Sequence, residues 1–151
     1  MFQEIFNFKK FSDNLFTGGM PTKEQLKDAA SYVQYVINLA PHTVSHALPG
    51  EEDLVKSLGL KYFNIPVDWN TPTEENLNTF MDLMDNLENT KVLVHCEANF
   101  RASSFVTMYK ILRKGLSHTE GLKIIHEIWD EHAFPIWDEF IAETLKNIKK
   151  D

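Results

Sequence analysis

The sequence has little cysteine and no long apolar runs, and each absence excludes a class of protein. Only one of the 151 residues is a cysteine, which excludes an internal disulfide framework and any cysteine-rich zinc site. The apolar runs are far shorter than the roughly 20 residues of a membrane-spanning helix. Residues 1–10 carry Glu4 and no continuous apolar core, so they do not resemble a signal peptide. We therefore expect one globular domain, residues 1–151, that is cytoplasmic and has no membrane partner.

Basic residues are also scarce. The chain has 15 Lys and Arg against 22 Asp and Glu, a net charge of −7, which argues against a nucleic-acid partner that needs a broad basic surface. An anionic substrate is not excluded, because a small site can be locally positive on an acidic protein. The hydrophobic content of 43% and charged content of 25% are typical of a folded chain.

Strand and helix patterns alternate along the chain. Apolar, β-branched segments predict strands at 15–17, 33–39, 60–67 and 91–95. Amphipathic or capped segments predict helices at 22–32, 51–58, from 73, and at 102–114, 118–132 and 135–149. This alternation indicates an α/β fold in three layers, with a mostly parallel sheet flanked by helices. Ligands bind such sheets at the carboxyl ends of the strands, which directs attention to the end of segment 91–95.

That segment is followed by a short loop with the residues for thiolate chemistry. Cys96 begins the loop, Arg101 ends it, and a helix follows from Ala102. A strand, a tight loop and a helix N-terminus direct backbone N–H groups to one point and bind anions there. These groups and Arg101 favour the thiolate of Cys96, and a guanidinium can hold two oxygens of a phosphate-like group. The alternative is a buried structural cysteine.

The segment VLVHCEANFRAS resembles the signature of the cysteine-dependent protein tyrosine and dual-specificity phosphatases. With TGGMPTKEQL, YVINLAP and LKYFNIPVD before it, the chain resembles the bacterial beta-lactamase-hydrolase-like, phosphatase-like branch of that superfamily from about Leu15 to about Trp129. The resemblance implies a four- or five-stranded sheet, a phosphorylated or other oxyanion substrate, and no metal or organic cofactor. It also implies that Cys96 is the nucleophile and Arg101 binds phosphate. The implied phosphate-binding loop comprises Glu97, Ala98, Asn99, Phe100 and Arg101.

The loop departs from that signature in three respects. Four residues separate Cys96 from Arg101, where the phosphatases have five. The family's loop glycine is absent, although Asn99 can adopt a left-handed conformation at lower cost than most residues. The hydroxyl that follows the arginine in the family is replaced by Ala102, and Ser103 comes one position later. The four-residue gap also resembles rhodanese-type sulfurtransferases, so a Cys96 persulfide chemistry and a catalytically weak anion-binding module remain alternatives.

Two further residues are candidates for roles in the reaction, Asp68 as the catalytic general acid and His95 in support of the nucleophile. Asp68 follows segment 60–67, where the family usually places its general acid, and Trp69 and Asn70 beside it could line the pocket. The alternative is a turn aspartate in Asp-Trp-Asn-Thr-Pro. His95 matches the family's histidine before the nucleophile, either holding the loop and tuning the thiolate or serving as a satisfied core histidine.

Other polar and aromatic residues are expected to have no catalytic role. His42 and His46 have metal-like spacing, but they lie in a predicted loop at 41–49 with no matching carboxylate or cysteine, so we expect a solvated loop and no metal. We expect the Glu97 side chain to point into solvent. The aromatic residues near the end of the chain are expected to be core residues: Trp129, Phe134, Trp137 and Phe140.

Overall fold

A five-stranded sheet forms the centre of the fold in the computed structural model, which describes residues 1–149. The last two residues of the predicted domain, 150 and 151, lie outside the described residues. The spatial order of the strands is β1-β2-β5-β3-β4, and all neighbouring pairs are parallel except β1 with β2. The α/β architecture and mostly parallel sheet are confirmed. The strands are β1 (Lys9–Ser12), β2 (Leu15–Gly18), β3 (Tyr35–Asn38), β4 (Lys61–Asn64) and β5 (Val92–His95).

The edge strand β1 was not predicted. It pairs antiparallel with β2, and the register shifts between Lys10 and Ser12. Its four residues alternate between half-buried and exposed, with no fully buried side chain. A short polar edge strand carries little of the hydrophobic alternation that identifies a strand, which is why the sequence pattern does not reveal it.

Six helices within residues 1–149 cover the sheet, and two of them end earlier than predicted: the first ends at Ala29 and not near residue 32, and the fifth ends at Ile128. The predicted reciprocal capping box between Thr22 and Gln25 is present at the start of α1. The prediction that the fifth helix reaches residue 132 is wrong, because Trp129 adopts an extended backbone and a short 3-10 turn follows at Glu131–Ala133. None of the helices within residues 1–149 is long and apolar enough to cross a membrane. The helices are α1 (Lys23–Ala29), α2 (Glu51–Ser57), α3 (Glu74–Asn86), α4 (Phe100–Lys114), α5 (His118–Ile128) and α6 (Pro135–Lys149).

The sheet separates two apolar cores and so makes a three-layer structure. In the central strand β5, Val92 and Val94 belong to the core that α3, α4, α5 and α6 cover, whereas Leu93 belongs to the core beneath α1 and α2. Successive side chains of a strand point to opposite faces, so β5 is buried on both sides. Its last residue, His95, is aligned with Gly18 of β2 and Asn38 of β3. The carboxyl ends of three parallel strands therefore meet where the candidate loop begins.

Candidate active site

Cys96 lies between the end of β5 and the first turn of α4. Only 1% of the Cys96 surface is exposed to solvent. The Cys96 N–H donates to the carbonyl of Gly18 over 3.2 Å. The Sγ atom accepts a hydrogen bond from the Ala102 N–H, with an N to S distance of 3.4 Å. A sulfur at a helix N-terminus that already accepts a backbone N–H is in a setting that stabilises negative charge.

The carbonyl groups of the loop are held on its outer side. The Met20 N–H donates to the Glu97 carbonyl over 2.9 Å, and Asn7 Nδ2 donates to the Ala98 carbonyl over 3.1 Å. Among the described residues, no acceptor takes the backbone N–H groups of four loop residues, namely Glu97, Ala98, Phe100 and Arg101. Neighbouring backbone N–H groups without internal acceptors are the basis of an anion-binding nest. The loop can therefore take the oxygens of an oxyanion.

Asn99 replaces the glycine that the loop lacks. Its φ of 70° is left-handed, which confirms the predicted conformation. Its Nδ2 donates to the Asn7 carbonyl over 2.7 Å and to Thr17 Oγ1 over 3.0 Å. The close approach of β2 to the loop requires Gly19, because a Cβ there would lie 2.6 Å from the Glu97 carbonyl oxygen. Contacts from outside the loop thus fix the backbone conformation of the four residues between Cys96 and Arg101.

Arg101 is 3% exposed and is held from two sides. Its Nη1 donates to the Val67 carbonyl over 2.8 Å, and its Nη2 donates to Glu97 Oε1 over 2.9 Å. The Trp69 ring centroid lies 5.8 Å from its Cζ. The expectation that Glu97 points into solvent is wrong, because residues four apart are neighbours at a helix start and a buried guanidinium needs partners.

The predicted solvated loop at 41–49 contacts the site through its histidines. His46 Nδ1 is 3.5 Å from Glu97 Oε2, although the His46 side chain is 81% exposed. His42 Nε2 is 2.8 Å from the hydroxyl of Tyr62. This segment therefore lies beside the candidate loop and is not simply solvated.

A buried polar network that the sequence did not reveal lies behind the nucleophile. His95 is fully buried, with Nε2 2.5 Å from Glu51 Oε2 and Nδ1 3.2 Å from the Cys96 carbonyl oxygen. Asn38 Nδ2 donates to Glu51 Oε1 over 3.4 Å and to the Tyr62 hydroxyl over 3.1 Å. Burial, together with the Glu51 carboxylate, raises the pKa of Tyr62, so its phenol keeps its proton. His95 is thus both a satisfied core histidine and a contact of the loop backbone.

Sequence reasoning missed Glu51 because its only local signal points elsewhere. It is the first residue of α2, where an acidic residue is ordinarily explained by the helix dipole. It is only 4% exposed, however, which is unusual for a glutamate.

Asp68 lies in a turn that is attached to Arg101 through the backbone. The Asp68 side chain is exposed, and its Oδ1 accepts the Asn70 N–H over 2.8 Å. The preceding carbonyl, that of Val67, is the one that binds Arg101. Trp137 Nε1 donates to the Trp69 carbonyl over 2.8 Å, which fixes the other side of the turn. The turn interpretation therefore describes the local structure, and the general-acid role of Asp68 stays a prediction.

An aromatic cluster packs against the start of α4. Phe100 stacks on Trp129 with ring centroids 4.6 Å apart, and Trp69 stacks on Trp137 at 5.3 Å. Trp129 and Trp137 are buried core residues, as predicted. The prediction is wrong for Phe134, which is exposed, and Phe140 is only half-buried against the core. Ser103 is also buried, and its hydroxyl donates to the Phe100 carbonyl over 3.3 Å. The hydroxyl of Ser103 is therefore engaged by the helix backbone.

Comparisons with known proteins support a phosphatase fold for this chain. The model of the family described as "DSP-PTPase phosphatase fused to NAD+ Kinase" matches residues 6–134. A search of curated proteins found no match. Among solved structures, a provisionally described phosphatase (DUF442) from Shewanella putrefaciens CN-32 is 32% identical, with a TM-score of 0.86 over 93% of this chain and 90% of that one.

Two more distant structures share the fold alone. Tk-PTP in its active form is 21% identical, with a TM-score of 0.78 over 93% of this chain and 97% of that one. TpbA of P. aeruginosa is 15% identical, with a TM-score of 0.75 over 91% of this chain and 84% of that one. Because the family model spans residues 6–134, the chain belongs to the family of DSP-PTPase phosphatases described as fused to NAD+ kinase, and it is a phosphatase-like hydrolase of the protein tyrosine and dual-specificity phosphatase type.

Proposed function

We propose that the protein hydrolyses phosphate monoesters through a cysteinyl-phosphate intermediate on Cys96. The observation that carries the proposal is the loop itself. It places Sγ at the N-terminus of α4, beside backbone N–H groups that have no acceptor within residues 1–149, and Arg101 closes it. A nucleophile next to preorganised donors for the developing charge is the arrangement that transfer of a phosphoryl group needs.

In the first step, the Cys96 thiolate attacks phosphorus and an S–P bond forms. The P–O bond to the alcohol or phenol breaks, and the Asp68 carboxylic acid gives its proton to the leaving oxygen. The loop N–H groups and Arg101 hold the equatorial oxygens. In the second step, water attacks phosphorus and gives a proton to the Asp68 carboxylate. The S–P bond breaks, inorganic phosphate leaves, and the thiolate and the protonated acid are restored.

The arginine has to exchange a partner for this reaction. Its Nη2 is bound to Glu97 and its Nη1 to the Val67 carbonyl. An incoming phosphate carries more negative charge than Glu97, which competes for the same guanidinium. We propose that Glu97 turns toward His46 when an anion binds, since its second oxygen already lies 3.5 Å from His46 Nδ1.

The test is a paired assay on the same preparation. Aryl-phosphate hydrolysis is compared with sulfur transfer from thiosulfate to cyanide, in the wild type, Cys96→Ser and Asp68→Asn. We expect Cys96→Ser to abolish hydrolysis. We expect Asp68→Asn to lower the turnover of phenyl phosphate by about 10²–10⁴-fold, with a smaller loss for an activated phenol that needs no acid. Acid-quenched mass spectrometry should detect phosphate on Cys96.

Asp13→Asn is the matched control, because Asp13 is 94% exposed and lies in the turn after β1. It should leave both activities at the wild-type level. If Asp68→Asn hydrolyses phenyl phosphate as well as the wild type, Asp68 is not the acid. If only sulfur transfer is found and it depends on Cys96, the protein is a sulfurtransferase with a Cys96 persulfide. If the protein shows neither activity, that result would favour an anion-binding module.

The finer assignments belong to the same proposal. Membership of the beta-lactamase-hydrolase-like branch rests on the sequence segments that resemble it. A cytoplasmic location suits a cysteine that must stay reduced to act as a nucleophile. The substrate is proposed as a phosphorylated small molecule or side chain, with neither nucleic acid nor membrane as a partner.

A further inference from the structure

Two histidines and a glutamate that the proposed reaction does not use converge between α5 and α6. One possible ligand atom from each of His126, Glu131 and His132 lies within 4.8 Å of the other two. His126 Nε2 contacts Glu131 Oε1, and His132 Nε2 lies 3.4 Å from that same oxygen. The end of α5 at Ile128 makes this possible. In a continuous helix, positions 126 and 132 would lie on different faces, since residues advance about 100° each.

If both histidines are neutral, they have too few N–H groups to donate to every carboxylate oxygen that faces them. His132 Nδ1 is 2.8 Å from Asp138 Oδ1, and its Nε2 faces Glu131. A neutral imidazole has one N–H and one lone pair. If Nδ1 donates to Asp138, the lone pair of Nε2 faces a carboxylate oxygen, and a cation between them would turn that repulsion into two bonds.

The burial of Glu131 also favours a bound cation. It is 1% exposed, and its Oε2 has no hydrogen-bond partner in the described part of the chain. A buried carboxylate is costly unless it is paired or bound to a metal. A divalent ion would neutralise it, and an unoccupied oxygen remains available for a second bond to that ion.

We propose that His126, Glu131 and His132 form a binding site for a divalent transition-metal ion of the zinc type. Two imidazole nitrogens and one carboxylate are a common protein set for zinc, with the fourth position open to water. Asp138 completes the arrangement as the carboxylate that orients a ligating histidine through its other ring nitrogen. The site is accessible, because the His126 and His132 side chains are 45% and 62% exposed and border a cavity of about 390 Å³.

A metal ion here would join the last turn of α5 to the 3-10 turn Glu131–Ala133, and the contact of His132 with Asp138 links that turn to the first turn of α6. That connection carries Trp129 and Phe134, which pack on Phe100 at the start of α4. The ion would therefore stabilise the aromatic cluster behind the candidate loop, and binding to the native state alone should raise the melting temperature.

The test uses the untagged chain with Cys96→Ser, because a thiolate also binds zinc. Calorimetric titration with Zn²⁺ should show one equivalent bound, and Co²⁺ should give the visible absorption of a low-symmetry histidine–carboxylate site. We expect His126→Asn and His132→Asn each to weaken binding at least tenfold. Asp138→Asn should weaken it by about 10–100-fold, as is usual for the partner of a ligating histidine.

His46→Asn is the control for ordinary surface histidines, since His46 is 81% exposed and outside the cluster. It should bind Zn²⁺ like its parent. The proposal is overturned if the parent binds no Zn²⁺ at millimolar concentration, if the double variant His126→Asn/His132→Asn binds as well as the parent, or if His46→Asn loses affinity equally. Both ligating histidines are partly exposed, so these variants should fold, which circular dichroism checks. The overturning result would make the cluster an ion pair of protonated histidines with Glu131.

Discussion

The buried contact between Glu51 and His95 gives a strong test of what holds the candidate loop. His95 Nε2 lies 2.5 Å from Glu51 Oε2, and its Nδ1 lies 3.2 Å from the Cys96 carbonyl oxygen. Both neighbours are acceptors when Glu51 is ionised. Both contacts can be hydrogen bonds only if the imidazole is protonated or if the Glu51 carboxyl donates its own proton. The variant Glu51→Gln keeps the shape of the side chain and removes this charge-assisted bond.

The cost of that change follows from burial. Both side chains are at most 3% exposed, so solvent does not replace the lost partner. A hydrogen bond to a charged group contributes about 1.5–3 kcal/mol, and we expect Glu51→Gln to lower the free energy of unfolding by that amount. Glu51→Ala leaves His95 unpaired and should cost more, about 3–5 kcal/mol. With a urea slope of about 2 kcal/mol/M, the Gln variant should unfold at a midpoint about 1 M lower.

Urea unfolding followed by tryptophan fluorescence measures these midpoints. Glu52→Gln is the matched control, because Glu52 is the next residue, is exposed, and pairs with Lys56 over 2.7 Å on the surface. Its midpoint should not move measurably, since exposed pairs contribute little. If Glu51→Gln unfolds at the same urea concentration as Glu52→Gln, the buried pair does not stabilise the fold and the reasoning fails. A slower alkylation of Cys96 by iodoacetamide should accompany the loss, because His95 contacts the Cys96 carbonyl.

Two other predictions concern the anion site and a surface carboxylate. Vanadate or phosphate should raise the melting temperature of the wild type, Arg101→Ala should remove the shift, and Glu97→Gln should increase it because the competing carboxylate is gone. An equal shift in wild type and Arg101→Ala would contradict this. The Tyr109 hydroxyl, with Arg113, lowers the pKa of Asp85, so its stabilisation is present above the unfolded-state value of about 3.9 and is lost as pH falls through the folded-state value. Tyr109→Phe should therefore have a lower melting temperature than the wild type at pH 7, and the difference should become smaller toward pH 3. A difference in melting temperature that does not depend on pH would refute the role of the Asp85 pKa.

Local patterns were sufficient for the parts of the fold that bury apolar surface along the chain. The strand β5 was predicted from a short β-branched run, and its place at the centre of the sheet follows from burial on both faces. Asn99 was predicted to be left-handed because its conformation depends on its own steric preferences. Capping of α1 by Thr22 likewise depends on residues three positions apart.

The parts that the sequence did not reveal depend on residues that are distant along the chain. The Glu51 to His95 contact joins positions 44 residues apart, and the Trp137 to Trp69 bond joins positions 68 apart. The helical pattern of α5 runs on past Ile128, but stacking of Trp129 on Phe100 accompanies the end of the helix there. Tertiary packing overrides local propensity at such places. These contacts cannot be predicted from the hydrophobic periodicity of a single segment.

The short loop affects the two steps of the proposed reaction differently. Its N–H groups, Arg101 and the helix N-terminus support attack by the thiolate, and the outside contacts at Gly19 and Asn7 compensate for the missing residue. The second half needs stabilisation of the departing thiolate, which a hydroxyl after the arginine supplies in the phosphatases that the loop resembles. Here the Ser103 hydroxyl is bound to the Phe100 carbonyl, and the group that reaches Sγ is the Ala102 N–H at 3.4 Å. In the proposed reaction, release of the thiolate would therefore rely on a backbone donor. The departure from the signature should slow this step and not the initial attack.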